Sequence, residues 1–206
     1  MSEEKQPTVY LVEDDDAVRD SLKLVLESVG LSVKDYARAD DFLNEWSEDM
    51  AGCIVLDIRM PGMNGMELQR KLNTMHSTLP IIFVTGHGDV PMAVEAMQQG
   101  AVDFIPKPYR EQELLDKIQK AIEIDREQRK VLGERHVIEA QLSALTPREL
   151  EVMNLMVEGK ANKSIAFDLD ISQRTVEIHR ARVMDKMDTR SVAQLVRKVM
   201  ATRSED

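Results

Sequence analysis

Asp57 ends a short apolar run, Ile54-Val55-Leu56, and is followed by Pro61, Gly62 and Gly65. An apolar run bounded by turn residues reads as a buried parallel strand ending in a loop. In open α/β sheets, chemistry collects at the carboxyl ends of such strands. Three other strand ends carry matching groups: Glu13 and Asp14 after Val9–Val12, Thr85 after Pro80–Val84, and Lys107 after Ala101–Ile105. Neighbouring strands of one parallel sheet bring all of these to the same edge. Converging carboxylates repel, and a hard divalent cation relieves the repulsion by taking oxygen ligands. Mg²⁺ fits, because it accepts a few carboxylates and keeps a position for a phosphoryl oxygen. Asp57 can then act as nucleophile, with the metal and Lys107 neutralising the incoming phosphoryl group and Thr85 donating a hydrogen bond to the product. Each group alone has a plain structural reading: helix-start acids, a surface lysine, a threonine of good β propensity. Their joint placement at strand ends favours the chemical one.

The elements that must position these groups follow from periodicity. Val9–Val12, Leu31–Tyr36, Gly52–Leu56, Pro80–Val84 and Ala101–Ile105 read as strands. Between them lie helical patterns opening at Asp16, at Asp40, at Gly65 and at Asp89-Val90-Pro91, and a fifth spans Glu111–Ile124. Five strands alternating with five helices predict a doubly wound parallel sheet over residues 1–124. Residues 125–142 are highly charged with spaced Val131, Leu132, Val137, Ile138 and Leu142. They read equally as a solvated linker helix continuing the fifth or as an amphipathic dimerisation arm. Thr146-Pro147-Arg148-Glu149 restarts helix, with a threonine cap, a proline in the first turn and a glutamate able to reach back. Residues 143–206 then form a small all-α domain.

Composition sets the outer bounds. The 206 residues are 43% hydrophobic, enough for a real core. No apolar run approaches the ~20 residues of a membrane span, and residues 1–8 (MSEEKQPT) lack a signal-peptide core. With the single cysteine, Cys53, beside a buried strand, these features fit a soluble cytoplasmic protein without disulfides. The net charge of −10 is uneven: residues 1–125 hold 24 acids against 12 bases, whereas residues 146–206 hold 10 against 11. This asymmetry predicts two units with different partners.

In the tail, Ile165–Leu169, the turn Asp170-Ile171-Ser172 and Gln173–Met187 read as helix, tight turn, helix, with Ser172 capping the second helix. At ~100° per residue, Val176, Arg180, Val183 and Met187 share one side, the three apolar ones facing the core. Arg174, Glu177, Ile178, Ala181 and Arg182 share the other. Ile178 and Ala181 on an open face suit base edges or thymine methyls, and Arg174, Arg182, Lys186 and Arg190 can reach phosphates. An ordinary two-helix packing unit with a mixed-charge surface fits the same pattern.

The motifs LVEDDDAVR, VLDIRMPGMNGMEL, FVTGHGDVPMAVEAM and GAVDFIPKP resemble the receiver domain of two-component response regulators over residues 8–124, and the GHGDVPMAVEAM stretch is especially similar to the FixJ-type subgroup. The resemblance implies that Asp57 accepts phosphate from a sensor histidine kinase. It implies that Asp14, Asp57 and the Arg59 backbone carbonyl ligate Mg²⁺, with Glu13 helping through water, and that Lys107 contacts the phosphoryl group. Thr85 and Phe104 would form a switch pair. Glu13 departs from the aspartate more usual there. Residues 143–206, with LTPRE, NKSIA and TVEIH, are similar to LuxR/NarL-type helix-turn-helix domains. That similarity turns Glu177, Ile178 and Ala181 toward bases and sets Thr175, His179 and Lys186 near the DNA backbone or in support of it. Together the two imply a promoter-binding regulator that dimerises on phosphorylation, has RNA polymerase as a further partner, and performs only self-directed phosphotransfer and slow autodephosphorylation. Two other classes compete: a small-phosphoester phosphatase and a protein-interaction module. A phosphatase of this kind carries a second acid two residues after its nucleophile, where this chain has Arg59.

Overall fold

Five strands and the helices between them build the N-terminal part of the chain in the computed structural model, which describes residues 6–86 and 90–203. In chain order they are β1 (Thr8–Val12), α1 (Asp16–Ser28), β2 (Ser32–Tyr36), α2 (Ala39–Glu45), β3 (Gly52–Leu56), α3 (Gly65–Thr74), β4 (Ile81–Thr85), α4 (Val90–Gln98), β5 (Asp103–Pro106) and α5 (Glu111–Ser143). The strands pair in parallel in the order β2-β1-β3-β4-β5. Alternation along each strand sorts side chains to two faces. Val9, Leu11, Cys53, Val55, Ile82 and Val84 pack with Leu22 and Leu26 of α1 and Leu114 and Ile118 of α5. Tyr10, Val12, Ile54, Leu56, Ile81 and Phe83 pack with Phe42 of α2, Leu68 and Leu72 of α3 and Ala96 of α4. A sheet buried on both faces explains why its central strands read as unbroken apolar runs.

The start of β5 differs from the sequence expectation. Ala101 does not start β5, because its N–H still closes the end of α4 on the Ala96 carbonyl; the Val102 N–H binds the Ile81 carbonyl of β4 at 2.8 Å, and the strand itself begins at Asp103. The expected cap Asp89 lies outside the described residues. On α4 only Ala96 is buried, while Val90, Val94 and Met97 are exposed. Helix α5 continues without a break from Glu111 to Ser143. The chain divides into two compact units between Arg129 and Lys130, inside this helix and five residues beyond the expected receiver end.

The second unit is helical: α6 (Pro147–Val157), α7 (Asn162–Asp168), α8 (Gln173–Lys186) and α9 (Val192–Arg203). Thr146 and Glu149 form a reciprocal capping box on α6, with Pro147 in its first turn. Ser172 caps α8 by accepting the Thr175 N–H at 3.1 Å. The core joins Val152, Met153 and Met156 of α6, Ile165 of α7, Val176 and Val183 of α8, Met187, and Leu195 and Val199 of α9. Among the described residues no helix is long and apolar enough to cross a membrane.

Candidate functional site

The carboxyl edge of the sheet gathers the groups expected there. The Glu13 N–H binds the Tyr36 carbonyl at 3.1 Å, which keeps residue 13 in line with β1. Asp15 then caps α1, accepting the Ala17 and Val18 N–H groups at 2.9 and 3.1 Å. Asp14 is thereby held between strand end and helix start. The Asp57 N–H binds the Val12 carbonyl at 2.9 Å, bringing the end of β3 beside the end of β1. Carboxylate oxygens of Glu13, Asp14 and Asp57 lie within 4.8 Å of one another. Lys107, after β5 and before a cis peptide to Pro108, places its Nζ 2.7 Å from Glu13 Oε2 and 3.8 Å from Asp57 Oδ1. The Arg59 N–H donates to Asp57 Oδ2 at 3.1 Å.

Burial and charge explain the electrostatics. Glu13 and Asp57 are both buried. Burial raises both carboxyls above their ordinary range, and Lys107 opposes the rise in each. Clustered, partly desolvated carboxylate oxygens with one ammonium beside them form a hard, acidic donor set, which fits a small divalent cation. Asp14 also lines an open cavity of ≈ 780 Å³ between the β3–α3 loop and α4, walled by Met60, Met66 and Met92.

Thr85 is buried at the end of β4, and its carbonyl accepts the Lys107 N–H at 2.7 Å. Phe104 is half-buried on β5, its ring centroid 6.3 Å from that of Phe83. Gly65 has a role that the sequence reading did not assign. A Cβ there would lie 2.4 Å from the Asp57 carbonyl oxygen. The Gly65 N–H binds the Ile58 carbonyl at 2.9 Å, and Asn64 with Glu67 caps α3, so the loop after Asp57 is folded tightly back on itself.

In the helical unit, Arg174, Glu177, Ile178, Ala181 and Arg182 are all exposed on α8, opposite the buried Val176 and Val183. Thr175 is half-buried, its hydroxyl 2.8 Å from that of Ser172. His179 is half-buried, and its buried Nδ1 has no hydrogen-bond partner among the described residues. Lys186, expected near the DNA backbone or in support of it, is engaged on its own domain. Its Nζ donates to Glu149 Oε2 at 2.7 Å and to the Ala144 carbonyl at 3.0 Å, so the ammonium is occupied within its own unit.

A doubly wound sheet with an acidic cluster and a lysine at its carboxyl edge, followed by a helix-turn-helix unit, defines a receiver-type domain joined to a DNA-binding-type module. Comparison with known proteins agrees. Residues 9–119 match the response regulator receiver domain family, and residues 143–199 match the luxR family of bacterial regulatory proteins. The chain is 45% identical over 194 residues to the transcriptional regulatory protein FixJ of Rhizobium meliloti, covering 94% of this chain and 95% of FixJ. It is 41% identical over 194 residues to the response regulator protein TmoT of Ectopseudomonas mendocina, covering 94% and 88%. The solved structure of the response regulator StyR superposes with a TM-score of 0.89 at 43% identity, covering 95% of this chain and 98% of that one. The chain therefore belongs to the two-component response regulators that join a receiver domain to a LuxR-type DNA-binding domain.

Proposed function

We propose that this response regulator is switched by phosphorylation of Asp57, and that the switch sets how tightly its helix-turn-helix unit holds promoter DNA. The observation that carries this reading is the Glu13–Asp14–Asp57 cluster with the Lys107 ammonium against it. Asp57 Oδ2 is engaged by the Arg59 N–H, so Oδ1, on the Lys107 side, is the attacking oxygen. Oδ1 bonds to phosphorus as the P–N bond to a sensor kinase histidine breaks, and the imidazole nitrogen keeps that electron pair. Asp14, Asp57 and the Arg59 carbonyl would hold Mg²⁺, with Glu13 in support through water. Bound there, the ion supplies positive charge for the phosphoryl oxygens. Lys107 balances the transferred charge, Thr85 turns its hydroxyl to the phosphoryl group, and Phe104 moves inward. Hydrolysis of the aspartyl phosphate resets the site slowly.

The output follows through α4 and β5. Exposed Val90, Val94 and Met97 offer an apolar surface for homodimerisation once the switch has reshaped it. Two tails then engage half-sites about one helical turn apart, and binding tightens by linkage. Glu177, Ile178 and Ala181 read base edges. Arg174 and Arg182 contact phosphates, with Thr175 and His179 at the backbone, and RNA polymerase is the partner at the promoter. The test is DNA affinity over a salt series, with and without a small phosphodonor plus Mg²⁺, for wild type and Asp57→Asn. Tighter binding by phosphorylated wild type alone supports the switch. An equal gain in Asp57→Asn refutes it. Loss of protein-partner binding in Ile178→Arg with DNA binding unchanged would favour the interaction-module reading instead.

A further inference from the structure

The end of β3 opposite Asp57 carries an arrangement that phosphoryl transfer does not use. Asp125 on α5 is 2% exposed, and its Oδ2 accepts the Gly52 N–H at 2.9 Å. Its Oδ1 is buried and has no hydrogen-bond partner among the described residues. One helical turn on, Arg129 Nη1 donates to the Met50 carbonyl at 2.7 Å and reaches the Asp49 carbonyl at 3.5 Å. These two side chains grip the backbone that leads into β3. On its other side that backbone is fixed by β1, because the Thr8 N–H binds the Ala51 carbonyl at 2.9 Å. Gly52 itself has φ +124°, and a Cβ there would lie 1.9 Å from the Thr8 carbonyl oxygen.

The Asp125 carboxylate is attracted by the Arg129 cation one turn on, so the two side chains act as a pair on one backbone segment. The grip sits on the strand whose far end presents Asp57, five residues from Gly52. It also sits on the last receiver turn of a helix that runs on to Ser143. A displacement of β3 moves the Gly52 N–H and the Met50 carbonyl, and both are bonded to α5.

We propose that Asp125 and Arg129 form a clamp that relays occupation of the Asp57 site, through β3, into the stretch of α5 leaving the receiver unit. The proposal rests on the reading of Asp57 as phosphoacceptor. Both residues are positioning residues, and neither lies in the acid cluster.

The test uses the full chain with phosphoramidate and Mg²⁺, reading the phosphoryl adduct on Asp57 by mass and the amide hydrogen exchange of residues 126–142. In wild type, phosphorylation changes exchange in that stretch by about threefold or more. In Arg129→Ala the adduct forms as in wild type and the exchange change is lost. Asp125→Asn keeps the relay, since its carbonyl oxygen still accepts the Gly52 N–H, and Asp125→Ala loses it. An adduct on wild type without any change in 126–142, or an undiminished change in Arg129→Ala, overturns the relay alone. Absence of the adduct on wild type overturns the phosphoacceptor reading and the relay with it. Should phosphorylation leave DNA affinity unchanged while the exchange change persists in wild type and vanishes in Arg129→Ala, the relay stands and the DNA-affinity reading fails.

Discussion

Replacing Lys186 by methionine removes the ammonium that neutralises Glu149 while keeping most of the aliphatic stem. Glu149 is 2% exposed, and its Oε2 accepts from Lys186 Nζ at 2.7 Å and from the Thr146 N–H at 2.9 Å. Those bonds, Lys186 first, hold its carboxyl down to about 2 from an ordinary 4.5. That depression corresponds to roughly 3 kcal/mol shared among the partners. The lysine end is about one-third exposed, so solvent screens part of its share. A loss of about 2 kcal/mol remains for Lys186→Met, because a buried carboxylate is left without its counter-charge. For a unit of this size that lowers the melting temperature by about 10 °C. The only tryptophan, Trp46, and the three tyrosines, Tyr10, Tyr36 and Tyr109, all lie before residue 130. Trp46 fluorescence therefore follows the receiver while far-UV circular dichroism follows all the helices. The expected result is an earlier dichroism transition with the Trp46 transition unmoved. The pH dependence has a definite sign: a depressed carboxyl gives stability that is full above about pH 4.5 and is lost as pH falls toward about 2. Lys186→Met flattens that acid limb. Phosphate contact predicts the opposite pattern, an unchanged melting temperature with a salt slope of DNA binding reduced by about 1. That outcome would refute the assignment of Lys186 to Glu149.

Three further outcomes follow from the same geometry. Gly65→Ala, which in an ordinary helix position would add about 1 kcal/mol, instead destabilises the receiver by roughly 2–3 kcal/mol through its clash with the Asp57 carbonyl, read by urea unfolding of Trp46 fluorescence. Burial holds Glu13 and Asp57 above their ordinary range, so the metal-free receiver weakens as pH rises through their folded values. Mg²⁺ at ten times its Kd restores about 1.4 kcal/mol, and a Trp46 melting curve indifferent to Mg²⁺ would count against the cluster as a metal site. Arg182→Ala weakens binding to specific and random duplexes alike and lowers the salt slope by about 1. A selective loss on the specific site would place Arg182 at a base edge instead.

What the sequence made legible is what depends on local pattern. Apolar runs closed by Pro and Gly mark the strands. Because parallel neighbours end at one edge, Glu13, Asp14, Asp57, Thr85 and Lys107 could be brought together before any coordinates. The Thr146–Glu149 capping box and the Ser172 cap are likewise written within four residues. The contacts that escaped are those between segments with no shared period. Lys186 meets Glu149 across 37 positions, and a helical projection sees only an exposed-side lysine near the end of α8. Asp125 meets Gly52 across 73 positions, and Asp125 read as the first residue of the charged stretch after the fifth helix. Gly65 read as a helix start, yet its constraint comes from the turn packed against it rather than from its own φ. In each case the missed contact uses a charged or small residue whose type is compatible with the surface, so composition carries no signal of burial. Charged residues at the ends of periodic segments are therefore where a sequence of this kind conceals its tertiary bonds. Asp125 and Arg129 occupy such a place, where the periodic core of α5 ends and the charged stretch leading out of the receiver begins.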